Sequence, residues 1–252
     1  MGAQIAGWGA RSGLEVVVYD SAPGQAEAAR AECLSHGVEI GAARELGSAL
    51  AGADWVTEAV FEELDLKRQV LAEVDRLAAA GAVVTSNSSM IVPSRLAEGL
   101  GRPDRFLNVH FLPPVGVIPI VEVIPHPGTS DAITEAVMDR LRAGGLEPVL
   151  VRKEVPGFIV NNVLGALLGA GFYLLEAGAA SAEEVDHVVT RALGHPIGPL
   201  RLADYIGLDT ALRAARALYE QDGRMAPSPL LERLVGEGKL GRKTGEGFFR
   251  YS

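Results

Sequence analysis

Strand-like and helix-like patterns alternate through the first 150 residues of this chain, and then the strands stop. The runs LEVVVYD, DWVTEAV, AVVTSN, RFLNVHF, PIVEVI and EPVLV are rich in Val and Ile and read as strands. Between them, LKRQVLAEVDRLAAA sets Val70, Leu71, Val74 and Leu77 on one helical face. TSDAITEAVMDRL does the same with Ile133, Val137 and Leu141. Such alternation predicts a mostly parallel sheet covered on both faces. After Lys153 no strand pattern follows. VPGFIVNN opens a long apolar helix, SAEEVDHVV carries a capping box of Ser181 and Glu184, and GHPIGP, YIGLD and MAPSP separate further helical segments. The boundary therefore falls near residue 153, with an α/β domain over 1–153 and an all-helical domain over 154–252.

The opening MGAQIAGWGARSGLEVVVYD has the order of a dinucleotide-binding half-site. In doubly wound (Rossmann-like) folds a first strand leads into G-x-G-x-x-G and a helix, and a second strand ends in an acidic residue that binds the adenosine ribose. Gly2 stands at the head of a helix, and Asp20 follows EVVVY 18 residues on. That distance suits the third glycine of the fingerprint. Asp20 is followed by Ser-Ala-Pro with no nearby Arg for a 2′-phosphate, which favours NAD over NADP. The alternative is a chance glycine and a chance strand-end Asp. The first strand and the first two glycines are absent from the chain. The expectation is that the natural protein begins upstream and that Met1 is an internal methionine of the motif.

Composition narrows the partners. The 252 residues carry a net charge of −9, which argues against nucleic acid or an anionic membrane as the main ligand. The single cysteine, Cys33, excludes an internal disulfide and fits a reducing, cytoplasmic setting. It reads as packing, with no base nearby to activate it. The apolar stretch FIVNNVLGALLGAGFYLL is broken by Asn161 and Asn162 and rich in Gly and Ala, so it reads as a buried or interface helix and not a membrane span. His126, His187 and His195 form no cluster with metal-ligand spacing, so no metal is expected.

Several motifs share one register and resemble the L-3-hydroxyacyl-CoA dehydrogenase (3-hydroxybutyryl-CoA dehydrogenase) family. MGAQIA resembles the tail of its glycine fingerprint, EAVFEELDLK its E-A-V-x-E-N-x-x-x-K, SNSSM its S-N-T-S-S, and NVHFLPPVGVIPIVEVIP its H-F-F-N-P-V…L-V-E-V. PGFIVNN, GHPIGPLRLADYIGLD and GKLGRKTGEGFFRY resemble its later signatures, so the likeness covers nearly the whole chain. The resemblance implies NAD-dependent oxidation or reduction at C3 of an acyl thioester, as in fatty acid metabolism. It makes His110 the general base, a role suited to an imidazole with a pKa of about 6.5. It makes Glu122, 12 residues on, the group that holds the ring. Ser89 aligns with the family's substrate-oxygen serine, with Ser88 and Ser86 open to a slip in register, and Asn161 with its substrate asparagine. Glu62 and Lys67 match positions near the nicotinamide ribose. The plainer readings are a backbone-bonded His110, a turn-capping Ser89, an interface amide at Asn161, and a solvated face on which Glu62 and Lys67 make no direct pair.

Four departures temper the match: the absent start, Pro113 in place of an asparagine, Asn162 in place of an arginine, and a short insert. Only 37 residues separate Asp20 from Glu58; they read as one short helix, a strand at Val38-Glu39-Ile40 and ELGSALAG, without room for the helical hairpin that holds the CoA adenosine end in typical members. The acyl carrier is therefore left open between CoA and an acyl carrier protein. A free 3-hydroxy acid is a second reading, and a catalytically inactive dimeric scaffold a third. The Gly- and Ala-rich helix allows close helix packing and points to a homodimer through the C-terminal helical domain.

Overall fold

The computed structural model describes residues 1–223 and 226–251 and divides into two compact units, Met1–Phe158 and Ile159–Ser252. The first unit runs α1 (Gly2–Arg11), β1 (Val17–Tyr19), α2 (Gln25–Ser35), β2 (Gly41–Ala43), α3 (Leu46–Leu50), β3 (Trp55–Glu58), α4 (Leu64–Leu77), β4 (Val83–Ser86), α5 (Pro93–Ala97), β5 (Phe106–Phe111), β6 (Ile120–Pro125), α6 (Asp131–Ala143) and β7 (Glu147–Leu150). β1 and β2 form a two-stranded parallel sheet, and β3-β4-β5-β6-β7 a five-stranded one. Every neighbour in the larger sheet is parallel except β5 and β6. Residues 112–119 are too few for a crossover, which takes about a dozen residues, so β5 must return as an antiparallel hairpin.

All six residues of β5 are buried, and their alternation serves two layers. Leu107, Val109 and Phe111 join Val121 and Val123 of β6 in one core, beneath Val137 and Leu141 of α6. Phe106 joins the opposite core, with Leu71 and Val74 of α4. His110 shares the parity of Phe106. Helix α1 binds the two sheets together. Its Ile5 and Trp8 pack into the core of the five-stranded sheet, and Trp8 donates from Nε1 to the Gly144 carbonyl at 2.9 Å. Ala6 on the other flank packs with Cys33, Val38 and Ile40 beside the two-stranded sheet.

Two local expectations are corrected. Within the insert, Val38-Glu39-Ile40 reads as a strand from sequence, but the ladder lies at Gly41–Ala43, where Gly41 pairs with Val17. A Cβ on Gly41 would sit 3.1 Å from the Val17 side chain, so the close parallel approach begins at the glycine, while Val38 and Ile40 are spent on packing. On α4 the inward face is Lys67, Leu71 and Val74, continued by Ala78 past the helix end. Leu77 is 37% exposed, because the inward row recurs at i+4 and i+7 and passes it by.

The second unit is α7 (Val160–Glu176), α8 (Ala182–Ala192), α9 (Pro199–Ile206), α10 (Leu208–Asp222) and α11 (Pro229–Gly236). Its core gathers Leu168 and Phe172 of α7, Val185 of α8, Leu200 and Ala203 of α9, and Leu231 of α11. The capping box forms as read: Glu184 N–H donates to Ser181 Oγ at 3.3 Å and Ser181 N–H to Glu184 Oε2 at 2.8 Å. Of the MAPSP separator, Met225 lies outside the described residues, and Ser228 caps α11 by accepting from the Leu231 amide. The glycine-rich signatures prove to be packing devices. Buried Asp186 accepts from the amides of Leu200 and Arg201 at the start of α9, so close to Gly198 that a Cβ there would collide with it. Buried Asp204 takes the amides of Phe248 and Phe249 and the Tyr251 hydroxyl, and Gly247 leaves it room. Along α7, Val163, Ala166, Gly169, Ala170 and Tyr173 form an exposed small and apolar stripe.

Candidate active site

Antiparallel register places His110 of β5 directly opposite Glu122 of β6. Their side chains point to the same face, and Nδ1 lies 2.8 Å from Glu122 Oε2. Both are buried, 8% and 1% exposed at the side chain. With Nδ1–H donating to the Glu122 carboxylate, the neutral ring keeps its lone pair on Nε2. The ring of Phe158 meets the imidazole edge-on at 5.7 Å between centroids.

The turn that follows β4 is tied to the same strand. Asn87 Oδ1 accepts from the amide of Phe111, next to His110, at 2.9 Å, and Asn108 donates from Nδ2 to the Ile91 carbonyl at 2.9 Å. Ser89 sits on this turn, half-buried, with its amide donating to Glu62 Oε1 at 3.0 Å. The same carboxylate takes the amides of Met90 and Ile91 and the buried Ser88 hydroxyl. Glu62 and Lys67 do form a direct ion pair, at 3.4 Å. Lys67 is 1% exposed, with its Nζ 2.9 Å from Glu58 and 3.1 Å from the Val60 carbonyl, so the solvated-face reading is overturned. Burial pushes the Glu62 carboxyl up, but the Lys67 charge and the hydrogen bonds from Ser88, Met90 and Ile91 outweigh it and hold it below the usual carboxylate range.

The cofactor candidates lie along the same edge. Gly2 opens α1 close to Ala59, just past the end of β3, where an added Cβ would come within 4.0 Å of the Ala59 Cβ. No acidic residue stands in the first turn of α1 and no side chain caps it. Its first amides therefore suit an anion such as a pyrophosphate. Asp20 follows β1, exposed, and accepts from the Ala22 amide through Oδ1 at 2.8 Å. Oδ2 has no protein partner among the described residues and suits ribose hydroxyls. The α1 amides suit a pyrophosphate and the Asp20 carboxylate a ribose. Asp20, Glu62 and Ser89 each follow the C-terminal end of a parallel strand, and His110 is next to last in β5. That edge is where open α/β sheets bind ligands.

Asn161 lies in the helical unit, half-buried in the first turn of α7. Cys33 is buried with its thiol pushed up, chiefly by burial, and packs beneath α1, which fits no nucleophile. His126 is fixed by the Pro103 carbonyl at Nε2 and the Gly128 amide at Nδ1, a structural histidine. Among the described residues no group of three or more His, Cys, Asp or Glu could hold a metal, and no helix is long and apolar enough to cross a membrane. A cavity of about 510 Å³ in the helical unit, lined by Arg201, Tyr205 and Arg242, contains none of the candidates above. Asn87 and Glu58 escaped the sequence reading. Asn87 stands inside the quoted SNSSM and bonds to β5, and Glu58 is the first acid of EAVFEELDLK and bonds to β4, to α4 and to the turn after β3.

Two family models match the chain. The model for the NAD binding domain of 3-hydroxyacyl-CoA dehydrogenase matches residues 35–155, and that for the C-terminal domain matches residues 157–251. Human mitochondrial hydroxyacyl-coenzyme A dehydrogenase is 39% identical over 215 residues, covering 84% of this chain and 68% of the human protein. Among solved structures, FadB2 of M. tuberculosis superposes with a TM-score of 0.92 at 34% identity, over 100% of this chain and 95% of that one. The (S)-3-hydroxybutyryl-CoA dehydrogenase PaaH1 of Ralstonia eutropha gives 0.88 at 36% identity, with the same coverage.

Proposed function

Because this chain belongs to the 3-hydroxyacyl-CoA dehydrogenase family, we propose that it interconverts the 3-hydroxy and 3-oxo groups of an acyl thioester, with His110 as the general base. It is an NAD-dependent dehydrogenase with a Rossmann-like domain followed by a helical one. The observation that carries the proposal is the buried His110–Glu122 pair at the ligand-binding edge of the sheet. In oxidation the C3 hydroxyl gives its proton to His110 Nε2, and Glu122 offsets the charge that forms on the imidazole. When bound, NAD supplies the acceptor for the hydride that leaves C3. Phe158 shields one edge of the ring from water. The Ser89 hydroxyl and, by the family resemblance, the Asn161 amide donate to the C3 oxygen. Gly2 and the start of α1 hold the pyrophosphate, Asp20 the adenosine ribose, and Glu62 with Lys67 the nicotinamide ribose.

The family's substrates favour CoA as the carrier. The segment between Asp20 and Glu58 is built from α2, β2 and α3 and contains no helical hairpin. That keeps an acyl carrier protein or a free 3-hydroxy acid as the second reading. We assign residues 154–252 to substrate binding and dimerisation, and the exposed stripe of α7 supports a homodimer. Replacing His110 by Ala tests the assignment with acetoacetyl-CoA and NADH. Turnover should fall about 10²- to 10⁴-fold with the circular dichroism unchanged. Undiminished turnover would remove His110 from the chemistry, and equal turnover of free acetoacetate would remove the thioester.

A further inference from the structure

We propose that Glu58 is a positioning residue that fixes the 88–91 turn, and with it Ser89, against the strand that carries His110. The proposal rests on the role given to Ser89 above. Glu58 is the last residue of β3 and 4% exposed. Its carboxylate is fully engaged: Oε1 takes Lys67 Nζ at 2.9 Å and the Val60 amide at 2.6 Å, and Oε2 takes the Ser86 hydroxyl at 2.6 Å.

Two routes lead from it to the same turn. Along the first, Glu58 anchors Lys67, whose Nζ also faces Glu62 at 3.4 Å, and Glu62 collects the amides of Ser89, Met90 and Ile91. The ammonium donates to Glu58 and to the Val60 carbonyl and pairs by charge with Glu62. Along the second, Ser86 donates to Glu58 and accepts from the Ser88 amide at 3.1 Å, while the Ser88 hydroxyl donates to Glu62 at 2.5 Å. The routes rejoin at Glu62, so the turn is held from both sides. Buried ion pairs contribute little net stability compared with apolar packing. Two carboxylates around one buried lysine are poor value as ballast. Their yield is geometry, because each hydrogen bond fixes a direction and a distance.

Glu58→Gln keeps the shape and removes the charge. Hydrogen exchange should quicken at the amides of 89–91 by about tenfold or more, with β5 unchanged. In acetoacetyl-CoA reduction its kcat should fall about tenfold, with a smaller change in KM. Ser86→Ala cuts the second route alone and should show a weaker form of both effects, which covers a Glu58 variant that fails to fold. Glu58→Gln in a Ser89→Ala background should add little to the loss from Ser89→Ala. Additive losses, or a turn that exchanges at the parent rate in both variants, would overturn the proposal. A fully active Ser89→Ala variant would instead overturn the role of Ser89, and the exchange rates would still decide whether Glu58 holds the turn.

Discussion

Replacing Glu122 by Gln isolates the electrostatic part of the proposed chemistry. The pair is buried and its atoms are 2.8 Å apart, and Gln preserves length and still offers an oxygen to Nδ1–H. What it loses is the charge that opposes the imidazolium formed as the substrate proton arrives. A hydrogen bond to a charged group contributes about 1.5–3 kcal/mol against about 0.5–1.5 for a neutral one. The difference, about 1–1.5 kcal/mol, sets the low end. Coulomb attraction at an effective dielectric of about 20 and a charge separation of about 4 Å gives about 4 kcal/mol as the high end. The expected fall in kcat is then roughly five- to tenfold at the least and several-hundred-fold at the most. NADH oxidation by acetoacetyl-CoA, followed by absorbance, measures it. Titration of NADH fluorescence should show an unchanged Kd, because neither residue belongs to the cofactor set. A variant as fast as the parent would refute the assignment of Glu122.

Other perturbations read other parts of the molecule. Asp20→Ala should weaken NADH binding by about 10- to 100-fold in calorimetry, with thermal unfolding unchanged because Asp20 is exposed. Trp8→Ala should cost about 3–5 kcal/mol in urea unfolding, because Trp8 is 5% exposed and packs against Phe111 at 5.3 Å between centroids. Burial, then the hydrogen bond to Asp204, pushes the Tyr251 hydroxyl up to about 12. The native state thus holds this proton more tightly than the unfolded chain, whose tyrosine titrates near about 10. The stability it lends is complete below pH 10 and lost as pH rises toward 12. Ultraviolet titration should find one tyrosine ionising late, and Tyr251→Phe should remove it.

What the sequence disclosed followed physical scale. β6 announces itself through dense Val and Ile and β5 through its run of large apolar residues, while the pairing of His110 with Glu122 is legible only through the family resemblance and follows physically from the antiparallel register. β2 does not announce itself, because Gly41-Ala42-Ala43 has no strand preference of its own and pairs only where β1 leaves room for a glycine. Lys67 looks like any lysine on a polar helix face until the end of β3 is set beside it. Its burial goes with Glu58; the EAVFEELDLK motif contains both residues, but neither periodicity nor composition shows that they pair. Gly198 and Gly247 read as loop residues for the same reason: what they make room for are Asp186 and Asp204, brought in by distant helices.

The facing of His110 and Glu122 also bears on how such a site can diversify. Their meeting is set by the β5–β6 ladder and not by the eight residues that join the strands. Residues added to or removed from 112–119 leave the pairing intact, whereas a single residue inserted within either strand would turn one partner to the other face. The link is tied down at one point, where Val115 is buried in the core of the larger sheet and its amide donates to Gln4 of α1, but its length is separable from the pairing. Away from Val115, its length and chemistry can be redesigned while the proposed proton-transfer pair keeps its register.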